Sequence, residues 1–368
     1  MEKIKRFIEC LIPVTVCNLK CDYCYVIQRE KNSGKMPEYK YSLDVMKRAL
    51  SAERLGGICY FSVCGAGETL APDSTVDVVQ LLLENGHYVN ITTNGTLTNR
   101  FEELMKRLDD DCKSRLHFAF SFHYLELERL NMIERFFNNV KFVASNGCSF
   151  LVQINLYDGY LPYLDEIKKL CLENVGAYPQ VAATRKENDL HEDIELMTEL
   201  GKDKYIENGN SFNSPLFDFT MKNFNVKRSE FCYAGDWTFT LNLATGIMHR
   251  CYCTVAGKDI FKNPDKKIKF CPVGKHCSSL FCMNSSHFMT LGCIPDADIS
   301  TYASLRNRIT YNGNEWYTPR MKKFLSGKLC DNNNKATKMD IIKSDVRNLL
   351  DRAHLKLAVV KAKIQAGR

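Results

Sequence analysis

The stretch Cys17-Asn18-Leu19-Lys20-Cys21-Asp22-Tyr23-Cys24-Tyr25 sets three thiols at the spacing C-x3-C-x2-C. It follows the apolar run 7–16, which begins as a strand, so the cysteines fall on the loop that leaves it. A loop this short can wrap three thiolates around one corner of an iron–sulfur cube and leave the fourth iron without a protein ligand. Such an iron binds and activates a small molecule, whereas a cube with four protein ligands mostly relays electrons. A zinc knuckle completed by a distant fourth ligand is the alternative.

Outward from the triplet, strand-like and helix-like segments alternate as far as residue 200. Runs rich in β-branched and aromatic residues lie at 7–14, 57–64, 88–93, 116–122, 150–156 and 180–184. Helical patterns follow them at 43–54, 77–84, 101–108, 132–144 and 163–172, with a last helix near 193–200. Six such βα units imply an α/β fold with a parallel sheet and are too few for a closed eight-fold barrel. In sheets of this kind the chemistry sits at the C-terminal ends of the strands, the rim on which the triplet lies. Residues 201–230 are polar and read as a linker. Cysteines are dense in 231–300, and 301–368 ends in a basic helix from Met339 to about Gln365. There Met339, Ile342, Val346, Leu349 and Leu350 recur at helical spacing, so one face is expected to pack on the barrel.

The 368 residues include 17 cysteines, an odd number far above ordinary usage, many of them in close clusters. In a chain of this size that pattern suits metal binding in a reducing cytoplasm better than a disulfide framework. Lys3, Lys5 and Arg6 precede an apolar run that Glu9 interrupts, so no secretory signal is expected, and no apolar stretch is long enough to span a bilayer. Of the net charge of +7, the tail from Lys335 carries nine Lys/Arg against three Asp. Such a tail can contact phosphates, but a solvated helix face accounts for it better, and nucleic acid is not expected as a partner.

The triplet resembles the signature of the radical S-adenosylmethionine (SAM) superfamily. The resemblance implies a partial (β/α)6 TIM-type barrel over residues 1–200 and a [4Fe-4S] cluster on Cys17, Cys21 and Cys24. In that family the open iron takes SAM, whose reductive cleavage yields a 5′-deoxyadenosyl radical; the cofactors carry the chemistry and the protein supplies position and shielding. Tyr23 matches the aromatic that the family sets against the adenine. Cys64-Gly65-Ala66-Gly67-Glu68 is similar to its Gly-Gly-Glu motif, with Ala66 in place of the first glycine. Small residues there let the backbone approach the SAM amine, and Glu68 offers charge. Thr93-Asn94-Gly95 looks like the family's turn beside the cofactor. Ser121 and Asn155 match positions near the ribose, and Arg185 one that could pair with the SAM carboxylate. His123 fits less well than Ser121; a lone histidine is more often structural, and facing the substrate is its other reading.

Cys232, Gly246 and Cys251 form C-x13-G-x4-C, which resembles the start of the SPASM and twitch extensions of that superfamily. Residues 238–243 and 247–250 read as a hairpin about Thr245-Gly246, bringing Cys232 and Cys251 together. The later spacing departs from a full SPASM domain, so one auxiliary [4Fe-4S] cluster in a small cysteine-rich α+β extension is expected. Its ligands are expected to be Cys232, Cys251, Cys277 and Cys282, with Cys271 in reserve and Cys253 and Cys293 as buried thiols. A structural zinc is the alternative.

The resemblance implies an oxidoreductase or maturase served by an external flavodoxin- or ferredoxin-type electron donor. Its substrate is a sugar or other small molecule, or a peptide. Sixteen residues precede Cys17, so a leader-binding domain ahead of the core is expected to be absent. An RNA-modifying member of the superfamily and a non-catalytic iron–sulfur or zinc protein are the alternatives. Tyr60, Tyr157 and Tyr233 are candidates for quenching a radical.

Overall fold

The computed structural model of the chain describes residues 2–186, 194–252, 254, 256–275, 277, 282 and 286–365. Six strands, β1 (Arg6–Ile12), β2 (Cys59–Gly65), β3 (Tyr88–Thr93), β4 (Leu116–Ser121), β5 (Ser149–Leu156) and β6 (Gln180–Ala183), pair in parallel in chain order. The sheet stays open, and the α/β partial barrel expected from six βα units is present. Its alternation is visible in β4: Phe118 and Phe120 pack outward against Phe101 and Phe136, while Ala119 and Ser121 line the concave side. Helices Asp73–Glu84, Thr98–Arg107, Ile133–Ser145 and Leu164–Val175 cover the outer face, each burying one apolar stripe.

Between 193 and 200 the described residues hold no helix. Glu195–Leu196 (β8) instead pairs antiparallel with Arg185–Lys186 (β7). The helices come later, at Lys202–Asn210 and Pro215–Lys222, inside the stretch read as a linker. The polar composition of that stretch hides Tyr205, Phe212, Leu216 and Phe217, all buried. Ser214 caps the second helix ahead of Pro215, and its hydroxyl also donates to Gln180 Oε1 at 2.6 Å, docking the helix on β6.

The expected hairpin forms from β9 (Thr238–Asn242) and β10 (Ile247–His249), followed by β11 (Gly257–Asp259). Gly246 turns it at a φ of +74°, where a Cβ would press on the Phe261 ring. β9 also pairs in parallel with β1, so the extension continues the barrel sheet to nine strands. Two short helices, Ser286–Thr290 and Tyr302–Arg306, fill the concave side, with His287 stacked on Phe7 and Tyr302 edge-on to Tyr60.

The last helix, Lys338–Gln365, departs from the sequence reading. Met339, Ile342, Val346, Leu349 and Leu350 are all more than half exposed rather than packed on the barrel. The contact face is mostly polar: beside Ile341, which packs on the core, Ser344 is buried against Gly274, and the Asn348 amide donates to the Val273 and Lys275 carbonyls. Backbone acceptors at 273–275 match a polar stripe, which apolar periodicity does not reveal.

Candidate functional site

Every βα loop on the C-terminal rim contributes to one region. The loop after β1 carries the three cysteines. Cys24 N–H donates to the Cys21 carbonyl at 3.0 Å, a tight turn that folds the second and third thiols together, and Cys24 then starts the helix Tyr25–Gln28. Burial, and then the neighbouring Cys17 and Cys24, push the Cys21 thiol well above its ordinary pKa. Cys17 and Cys24 thus oppose ionisation of the Cys21 thiol, an effect that positive charge bound beside them would offset.

The loop is fixed by its neighbours. Gly67 N–H donates to the Val14 carbonyl at 2.7 Å and Glu68 N–H to the Val16 carbonyl at 2.8 Å, zipping the post-β2 loop along the chain that enters Cys17. A Cβ at Gly67 would run into the Val16 carbonyl oxygen, so only glycine permits this approach. Glu68 is buried, and both its carboxylate oxygens are engaged: Thr93 Oγ1 donates at 2.7 Å, Leu70 N–H at 3.0 Å and Asn94 N–H at 2.8 Å. Its charge therefore holds the post-β2 and post-β3 turns together. Burial raises its pKa, and those donors offset the rise only in part. Asn94 reaches the cysteine loop itself, donating to Asn18 Oδ1 at 2.8 Å and approaching Cys17 Sγ at 3.8 Å.

Tyr23 is buried in an aromatic knot. Its hydroxyl meets His123 Nδ1 at 2.5 Å and the Tyr160 hydroxyl at 2.9 Å, and its ring lies 4.7 Å from that of Tyr157. The knot ties the cysteine loop to the ends of β4 and β5. His123 is thus a partner of Tyr23, and burial holds its imidazole at a pKa of about 4, neutral at physiological pH. Of the other tyrosines considered, Tyr60 bonds His117 Nδ1 at 3.0 Å, and Tyr233 accepts from Ala336 N–H and stacks on Trp237.

Ser121, Asn155 and Arg185 come together on the wall of one cavity of about 260 Å³ inside the barrel. Thr92 and Gln153 share that wall, and Ser286, His287, Tyr302 and Arg306 close it from the C-terminal helices. Ala66 and Gly67 stand beside the cysteine loop and are not among its lining residues.

A second cavity is walled by Cys232, Cys251, Cys277, Cys282 and Cys293. The four expected thiols share it, and Cys293, read as a mere buried thiol, joins them beside Cys232. Cys271 does not line it; its thiol turns to the Pro272 carbonyl. Cys253 lies outside the described residues. Among the described residues no three His, Cys, Asp or Glu side chains converge on a single-ion site, and the five thiols face one cavity from separate elements. Cys293 had no signal in its spacing. Tyr160 and Arg306 had none either, because only folding carries them to the site.

Residues 11–160 match the family model of the Radical SAM superfamily. No curated protein matches the chain. Similar solved structures include Streptococcus suis SuiB bound to S-adenosylmethionine, at 15% identity and a TM-score of 0.48, over 70% of this chain and 64% of that one. Native anSMEcpe with bound AdoMet aligns at 16% identity and a TM-score of 0.45, over 97% and 100%. BtrN in complex with AdoMet and 2-DOIA aligns at 13% and 0.34, over 91% and 95%. The chain thus spans about 64% of the length of SuiB.

Proposed function

From the premise that residues 11–160 form a radical SAM domain, we propose that this chain is a SAM-cleaving enzyme acting on a substrate held in the barrel cavity. The observation that carries the reading is the sharing of one rim. The Cys17, Cys21 and Cys24 loop leaves the C-terminal end of β1, and Ser121, Asn155 and Arg185, toward the C-terminal ends of β4, β5 and β6 in the same sheet, wall the cavity. When bound, a [4Fe-4S] cluster and SAM supply one-electron cleavage to a 5′-deoxyadenosyl radical able to take a hydrogen atom. The donor set fits such a cluster: three thiols from one loop, backed by the Asn94 amide.

In this reading Tyr23 fixes the cysteine loop through its knot, Ala66 and Gly67 let the backbone come close to SAM, and Glu68 and Asn94 lock the turns around it. Ser121 and Asn155 bind SAM by hydrogen bonds, and Arg185 takes its carboxylate. Cys232, Cys251, Cys277 and Cys282, with Cys293 as a fifth thiol, hold an auxiliary [4Fe-4S] cluster of SPASM or twitch kind. The reductant is a flavodoxin- or ferredoxin-type protein, and the substrate is a small molecule or a peptide.

Anaerobic reconstitution tests this. About eight irons per chain correspond to two cubes, and dithionite with SAM is expected to yield 5′-deoxyadenosine. Cys17→Ala, Cys21→Ala or Cys24→Ala is expected to abolish that product, whereas Cys232→Ala with Cys251→Ala removes about four irons. An intact cluster that forms no 5′-deoxyadenosine would overturn the reading.

A further inference from the structure

Arg306, the last residue of the helix Tyr302–Arg306, is 2% exposed and lines the 260 Å³ barrel cavity. Its guanidinium donates to Thr290 Oγ1 at 3.1 Å and Ser286 Oγ at 3.2 Å, and lies 4.0 Å from the centre of the Tyr302 ring. Both hydrogen-bond partners are neutral hydroxyls, which leaves donors of its five N–H groups over. Among the described residues the two other buried arginines are ion-paired: Arg6 with Asp236 and Arg115 with Asp111. No ion pair among the described residues includes Arg306, and none of the described lining residues is an Asp or Glu. Glu9 on β1 senses Arg306 at a distance, but its carboxylate is turned to Ser62 and Cys64, and burial pushes its pKa up to about 7. A fixed cation kept out of water without a counter-ion is costly, and its position facing a cavity lets a ligand supply that counter-ion.

We propose that the substrate carries an oxyanion, a carboxylate or a phosphate, that pairs with Arg306 at the inner wall of the cavity. The proposal rests on the reading of this cavity as the place where substrate meets the SAM site. A guanidinium fork matches the two oxygens of either group. Gln153, His287 and Thr92 offer neutral hydrogen bonds to the rest of the molecule.

The test uses the anaerobically reconstituted enzyme saturated with SAM, titrated with ¹³C-labelled acetate and with inorganic phosphate and followed by ¹³C and ³¹P line broadening. Saturable binding of at least one anion is expected. Arg306→Gln should weaken it by about tenfold or more, and Arg306→Lys, which keeps the charge but loses the fork, by less. Acetate binding tighter than phosphate marks a carboxylate substrate, and the reverse a phosphorylated one. Absence of saturable binding in the wild-type enzyme overturns the proposal, whether or not the variants fold. Binding that neither substitution changes overturns it as well, since the anion then sits elsewhere. Wild-type enzyme that forms 5′-deoxyadenosine but binds neither anion defeats this inference alone; intact enzyme that forms none defeats the functional reading beneath it.

Discussion

Glu9 and Glu68 show how differently two buried carboxylates in one barrel can behave. Three chain donors close around Glu68, so its charge is used to hold two loops. Burial raises the pKa of both, but Glu9 has only a hydroxyl at 3.4 Å and a thiol at 3.6 Å to set against it. Its pKa in the folded chain, about 7, lies above the ordinary carboxylate value, so the folded state binds the proton more tightly than the unfolded one. That contribution is whole below the unfolded pKa and disappears as pH rises through about 7. The stability of the wild type relative to Glu9→Gln should therefore fall between about pH 5 and about pH 8, by about 3 kcal/mol at most. Denaturant titrations at each pH measure it, and a flat or rising difference refutes it. The glutamate of the Cys64–Glu68 run was legible as a site residue because of its glycine neighbours. Its bonding was not, because Thr93 and Asn94 reach it only across the sheet.

Among the elements, the helix Lys338–Gln365 shows where periodicity misleads. A regular apolar stripe ordinarily marks the buried face, yet here the polar stripe with Ser344 and Asn348 meets the body. Leu349→Glu is accordingly expected to change stability by no more than about 0.5 kcal/mol. Ser344→Leu, forced against Gly274, should cost about 1–3 kcal/mol. Equal effects from the two in urea unfolding would reverse the assignment of faces. β9 was legible as a strand from its alternation and the Thr245-Gly246 turn. Its partner β1, more than two hundred residues earlier, was not.

For the whole molecule, that pairing has a thermodynamic consequence. β1 is hydrogen-bonded to β2 on one side and β9 on the other, so the cysteine-rich extension and the barrel share a sheet. Trp237 stacks on Tyr233 just ahead of β9, while Trp316 packs on Phe150 and donates to the Val175 carbonyl on the far side of the barrel. Unfolding of the metal-free, reduced chain is expected to be one transition, with tryptophan fluorescence and far-UV circular dichroism coincident. Two separated transitions would show that the extension unfolds independently.

The order of residues was enough to determine the parallel α/β sheet, the rim on which the first three cysteines lie and the hairpin that follows Cys232, because spacing and alternation are local and survive without neighbours. Tertiary structure alone decided the knot around Tyr23, the arrival of Cys293 beside Cys232 and the placing of Arg306 in the barrel, because each joins segments far apart in the chain. Which charge stays without a partner depends on what the fold brings near it, and no local pattern records that.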